Sequence, residues 1–344
     1  MKEREAGIEC LRIVSMLCII ANHFLLFTGA LKDVIPFTFN YYLIWLLEAI
    51  GYIGVNCFGL ISGYFLINSR CSLKKVFLLI GEVLFYSIVI FMGVSLLRIN
   101  SYSYVDALKA VMPVSTRQYW FVTDYIALYC FMPFLNCGLK NLEKKQYRKL
   151  LCIFLILFSI WDIFPGEQIN VQHGYSLYWL VALYCFGAYI RLYGGASSKK
   201  QAIKLYFVCI VMMWCSKVAI SLVAKWVPQV ETYSTIFYGH SSIFVFGSAV
   251  AMFILFKDIE VHNIMLKNII LKISASTFGV YIIHMNINLS NEYWRCITKY
   301  INVNKISYFV WWIMDTLVIY IVCTGIDIIR RNIVKQIKIK GIKS

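Results

Sequence analysis

The chain is expected to fold as an all-α polytopic membrane protein with about ten transmembrane helices and both termini in the cytoplasm. Three observations predict this. Of 344 residues, 60% are hydrophobic and only 15% charged, against about 25% charged in an ordinary soluble domain. Runs free of Asp, Glu, Lys and Arg, such as Ala49 to Ser69 and Thr232 to Phe256, match a ~30 Å hydrocarbon core, which takes roughly 20 residues of helix. The Lys and Arg residues give a net charge of +16, yet they sit in short connections between apolar segments rather than in one stripe. That is the pattern of topology signals, not of a nucleic-acid binder.

Taken in order, the first helix is expected at 8–28. It follows Met1 to Gly7 without a small-residue cleavage site, so it is read as retained. The second, 42–66, carries the Ala49 to Ser69 run and stops at the basic segment Arg70 to Lys75, where the third, 73–97, begins. The fourth, 119–138, opens on Tyr119 and Trp120, close to Tyr102 and Tyr104, an aromatic cluster suited to a membrane interface. It ends at the basic segment Lys140 to Lys149. A shorter fifth helix is expected at 150–164, the sixth at 175–192, the seventh at 202–224, and the eighth at 239–256. The ninth is placed at 273–289 and the tenth at 306–329, before the basic stretch Arg330 to Lys343. The tails and even-numbered connections hold 23 Lys and Arg and the odd-numbered ones hold 8. By the positive-inside rule both ends therefore face the cytoplasm.

Twelve cysteines are scattered singly with no C-x-x-C pair, which predicts neither a metal site nor a disulfide framework. They read as small apolar packing residues. No connection is long enough for a separate soluble domain and no internal repeat is seen, so residues 1–344 read as one membrane domain.

Ionisable groups inside a span are costly and point to function. Beyond Glu9 at its edge, the first helix, IECLRIVSMLCIIANHFLLF, holds Arg12 and His23. Eleven residues at about 100° each return to nearly the same angle, so both side chains share one helix face, about 16 Å apart along the axis. Singly, a histidine there packs against a hydrogen-bond partner and an arginine snorkels to headgroups. The in-register pair argues for more.

With this pair the sequence resembles the membrane-bound acyltransferase-3 family, whose hallmark is an Arg and a His separated by ten residues in the first helix. Further landmarks are similar in the same order: Gly54 to Phe65 (GVNCFGLISGYF), Tyr119 to Phe121 (YWF) with its LYCFMPFLN continuation, Trp179 to Arg191, and Ser276 to His284 (STFGVYIIH). The resemblance covers essentially the full chain. It implies a multi-pass enzyme of the bacterial cytoplasmic (inner) membrane that moves an acyl group, commonly acetyl, from acetyl-CoA to a saccharide acceptor, free or lipid-linked, of the cell surface. Larger members carry an extracytoplasmic hydrolase-like domain; this chain ends about 15 residues after the tenth helix and is expected to lack it.

Acyl transfer to a hydroxyl needs a base, and neutral imidazole suits the task near pH 7. His23 is the expected general base, with an acyl-histidine intermediate as the other route open to it. Asn22 and a carboxylate from another span, Glu82 or Asp124, are the expected partners that set its tautomer. Arg12, toward the cytoplasm, is expected to hold a phosphate or the pantetheine arm of acetyl-CoA. Arg70, Lys74 and Lys75 are further donor-site candidates, against the plain reading that they only set topology. Tyr119 and Trp120 could stack on a sugar ring or simply anchor the interface. His284, at a depth similar to His23, is expected to line the same cavity. His173, His240 and His262 are read as solvated loop-edge residues. This arrangement predicts a tunnel that opens to the cytoplasm and narrows near His23.

Two alternatives remain. A transporter or flippase for a lipid-linked sugar would also use buried Arg12 and Lys217, and it predicts paired halves with broken helices, for which the sequence shows no matching Gly or Pro interruptions. A non-catalytic assembly protein predicts that His23 is dispensable.

Overall fold

The computed structural model describes residues 5–98, 102–164, 171–194 and 198–343. The first four residues and Ser344 of the expected single domain lie outside it. The described residues form helices and turns with no β-strand, and a helix occupies each of the ten expected positions. In chain order the main elements are α1 (Ala6–Phe27), α2 (Phe39–Gly51), α3 (Gly54–Leu66), α4 (Leu73–Leu96), α5 (Trp120–Asn141), α6 (Lys144–Leu155), α7 (Leu177–Tyr193), α8 (Lys199–Val223), α9 (Ile243–Lys257), α10 (Ile264–Ser274), α11 (Thr277–His284) and α12 (Tyr308–Lys343).

Eight segments among the described residues are long and apolar enough to cross a bilayer, with α2–α3, α10–α11 and Pro228–Lys257 each counting as one. α7 is apolar but shorter, at 17 residues. The protein is thus a multi-pass membrane protein. Its outward-facing surface carries large side chains such as Phe77, Leu96, Phe134 and Ile321 in the open. That placement is costly in water and ordinary against lipid.

Four expected helices differ in form, the fifth giving way to a π-helix at Ile156–Ile160 and a 3-10 turn at Trp161–Ile163. The second is interrupted at Tyr52 and Ile53, the ninth at Ala275 and Ser276, and the eighth begins only at Ile243, after two 3-10 turns at Pro228–Tyr233 and Ile236–Tyr238. The ninth also starts earlier, because Asn263 accepts from the Leu266 amide and caps α10. It ends earlier because Asn286 caps the next helix, Ile287–Ile297, by accepting from the Asn288 amide. The fifth begins inside the basic segment that the sequence suggested was a loop. There the Gln146 side chain accepts from the Glu143 amide, part of a capping box that starts α6 at Lys144.

The tightest helix pair is α3 against α7. A Cβ on Gly63 would collide with the Tyr184 carbonyl, and one on Gly187 with the Leu60 carbonyl. Small residues are what allow two membrane helices to approach backbone to backbone. Buried polar groups then fasten the pair to its neighbours. Tyr184 donates to Asn136 Oδ1 at 2.6 Å, Asn136 donates to the Leu66 carbonyl, and Tyr147 donates to the Cys185 carbonyl at 2.8 Å. α1 runs through the middle of the bundle, packing on α2, α3, α9, α10 and α12. Its position makes one of its faces the wall of an internal space.

Candidate functional site

That space is a cavity of about 580 Å³, within the range of small-molecule sites. α1 contributes Arg12, Met16, Ile19, His23 and Leu26, recurring every three or four residues as one helix face must. The other walls come from the helix interruptions: Tyr52 and Gly54 between α2 and α3, Thr235, Tyr238 and His240 from the turns before α9, and Thr277 at the start of α11. Arg12 and His23 therefore line one continuous space, separated along α1 by about 16 Å.

His23 is half-buried, and its ring meets another histidine. Its Nδ1 lies 3.0 Å from His284 Nε2. His284 is 6% exposed, and its Nδ1 lies 2.7 Å from the Val280 carbonyl oxygen, one turn back on α11. A carbonyl only accepts, so His284 Nδ1 carries the proton and its Nε2 is the acceptor. The hydrogen between the rings then belongs to His23 Nδ1, and His23 Nε2 is left as the unprotonated nitrogen. With both rings neutral, this geometry sets the His23 tautomer and leaves the Nε2 lone pair free.

Arg12 sits at the other end. Its Nε stands 3.6 Å from Glu9 Oε2, and its guanidinium carbon 6.0 Å from the centroid of Phe65. On the far side of His23, aromatic rings gather around His240. Tyr52 and Tyr175 each lie 4.7 Å from its ring, and Trp120 lies 4.9 Å from Tyr175. The segment is pinned where the His240 carbonyl accepts from Asn56 Nδ2 at 2.8 Å, while Asn56 Oδ1 accepts from Trp179 Nε1.

The remaining expected residues go to different places. Glu82 pairs with Arg330 at 2.7 Å and Asp124 with Arg117 at 3.0 Å, because each carboxylate finds a cation nearer than the histidine. The partner of His23 is His284 instead, which contacts it without being among the cavity-lining residues where it was expected. Asn22 lines the cavity but donates to the Glu48 carbonyl. Trp120 lines the cavity as well. Tyr119 turns into the core, 2% exposed, where its hydroxyl accepts from Asn286 Nδ2. Arg70, Lys74 and Lys75 are exposed and outside the cavity lining. His240, read as solvated, is 6% exposed, since the 3-10 turns fold its segment inward.

Sequence reasoning also passed over Glu48, which lines the cavity at 5% exposure. A lone carboxylate inside the apolar YYLIWLLEAI stretch was the signal that could have found it. Among the described residues, no group of three or more His, Cys, Asp or Glu is placed to hold a metal ion.

A family model described as an acyltransferase domain matches residues 5–328. No curated protein and no solved structure matches the chain.

Proposed function

The chain belongs to the acyltransferase-3 family and is a membrane acyltransferase, and from that premise we propose that it moves an acetyl group from cytoplasmic acetyl-CoA to a hydroxyl of a cell-surface or lipid-linked saccharide. The observation that carries this reading is the place of His23 in the cavity lining with its Nδ1 3.0 Å from His284 Nε2, a contact that supports Nε2 as its unprotonated nitrogen. A base ready to take a hydroxyl proton is what the chemistry requires.

The reaction balances within the cavity. The acceptor hydroxyl attacks the thioester carbonyl carbon as its proton passes to His23 Nε2. A C–O bond forms and the C–S bond breaks. The departing thiolate takes the proton back from His23, leaving an ester, free coenzyme A and a neutral histidine.

The excess of Lys and Arg on the tails and even-numbered connections supports an orientation with both termini in the cytoplasm. In that orientation Arg12 stands at the donor's entrance and the Tyr52, Trp120 and Tyr175 rings at the acceptor's. Arg12 holds a phosphate or the pantetheine arm, and the ~16 Å from there to His23 is the interval the arm spans. For Arg12→Ala we expect the KM for acetyl-CoA to rise about tenfold or more, from the loss of a charge-assisted hydrogen bond worth ~1.5–3 kcal/mol. An unchanged donor KM removes Arg12 from the donor site.

The transporter alternative asks for interruptions at equivalent places in two halves. Here they fall in the second, fifth, eighth and ninth helices, which are not equivalent positions in two halves of five, and residues at or beside those in the second, eighth and ninth line the cavity. The overall reading is tested by mass spectrometry of surface glycans from cells with and without the gene. The expected result is an ester-linked acetyl group present only with the gene and removed by mild base. Identical glycans would sink it.

A further inference from the structure

Glu48 stands in the cavity wall with an unanswered hydrogen-bonding demand. The residue is 5% exposed, and its Oε2 is buried with no hydrogen-bond partner. On the facing helix, Asn22 spends its Nδ2 on the Glu48 carbonyl at 3.2 Å, which leaves its own Oδ1 buried and unpaired. Native proteins rarely leave such groups unmet, and two together at a cavity wall point to a ligand. An amide oxygen only accepts and a carboxyl oxygen accepts in either protonation state, so a ligand that brings O–H or N–H groups answers both. The pantetheine arm also carries O–H and N–H donors, so the surroundings decide between it and the acceptor.

The surroundings narrow the ligand further. Trp45 and Tyr52, three residues before and four after Glu48, share its helix face and line the cavity. Tyr238 stands edge-on to both, with centroids 5.2 and 6.3 Å away. Aromatic rings beside paired acceptors suit a molecule with an apolar C–H face and a hydroxylated edge. Asn22 directly precedes His23, and both line the cavity, so a ring held by one is within reach of the other.

We propose that Glu48 and Asn22 form the acceptor-positioning subsite, binding a hydroxyl other than the one acylated, so that the acceptor is a cyclic polyol rather than a simple alcohol. This rests on the acyl-transfer reading above and adds the group that selects the acceptor.

The test uses the full chain in lipid nanodiscs, with intrinsic tryptophan fluorescence as the reporter, since Trp45 and Trp120 line the cavity. The probes are methyl gluco-, galacto- and mannopyranoside, their hydroxyl-free ring analogue 2-methoxytetrahydropyran, and acetyl-CoA. At least one pyranoside is expected to saturate the wild-type signal, and the ring ether is not. Glu48→Ala is expected to weaken pyranoside binding tenfold or more. Glu48→Gln, which keeps a carbonyl acceptor, is expected to weaken it less, and acetyl-CoA binding is expected to be unchanged in both. The proposal is overturned if no pyranoside binds the wild type, if the ring ether binds as well as the pyranosides, or if Glu48→Ala leaves their affinity intact. Should Glu48→Ala lose acetyl-CoA binding as well, it is misfolded and Glu48→Gln decides alone: weaker pyranoside binding supports the subsite and unchanged binding overturns it. Failure of the acyl-transfer reading looks different, because acetyl-CoA would then be neither bound nor consumed by a wild type that still binds pyranoside.

Discussion

Replacing His23 by alanine is expected to abolish measurable acyl transfer while the protein inserts and folds normally. A positioned general base contributes ~10²–10⁴-fold to rate, and His23 lines the cavity with its Nδ1 held 3.0 Å from His284 Nε2. The fold should tolerate the change. His23 is half-buried, with ring contacts to His284 and Phe27, so truncation enlarges a space that already exists rather than opening a hole in the core. The measurement is label transfer from radioactive acetyl-CoA in reconstituted membranes, with insertion checked by protease protection. Retained transfer would remove His23 from the chemistry and revive the assembly-protein reading.

The second large effect is expected at His284. It touches the reaction only through His23, so its loss frees the His23 ring to rotate and to adopt the wrong tautomer. We expect His284→Ala to lower kcat by roughly 10²-fold, the scale set by small misplacements of reacting groups, with KM for donor and acceptor unchanged. Because His284 is buried, the alanine also leaves a void, and lost activity alone would not separate orientation from packing. His284→Gln makes that separation, since its amide oxygen can accept from His23 Nδ1. Partial recovery of kcat in His284→Gln supports the orienting role. Equal loss in the two variants argues for packing, and a raised KM assigns His284 to substrate binding.

Helix positions were legible because bilayer thickness sets a length that apolar runs must meet, and the shared face of Arg12 and His23 followed from helical period alone. The interruptions were not legible. Gly51 and Gly54 flank Tyr52–Ile53, and Ser274 to Thr277 surrounds Ala275–Ser276, but such residues also occur inside unbroken spans, and whether the helix breaks there depends on what packs against it. The partner of His23 was hidden for a related reason. His284 lies 261 positions along the chain, and no single sequence says that α1 meets the end of α11. Glu82 and Asp124 were reasonable carboxylates to suggest, but each was already matched to Arg330 or Arg117 by contacts that only the fold creates. Tyr119 and Trp120 are adjacent and similar, and rotation about the start of α5 alone decides that one is core and the other cavity wall. Glu48 stood in plain view as a charge in an apolar run, and intramembrane cost was the principle to apply.

The relay from Val280 through His284 to His23 contains no carboxylate. In the proposed reaction an imidazolium formed on His23 has no counter-charge in that relay to keep it, which favours handing the proton to the departing sulfur within the same turnover. Nothing charged travels with the acyl group, and no proton is gained or lost on either side of the bilayer. In the proposed reaction the energy for moving the group outward is therefore that of the thioester, and no membrane voltage is called for.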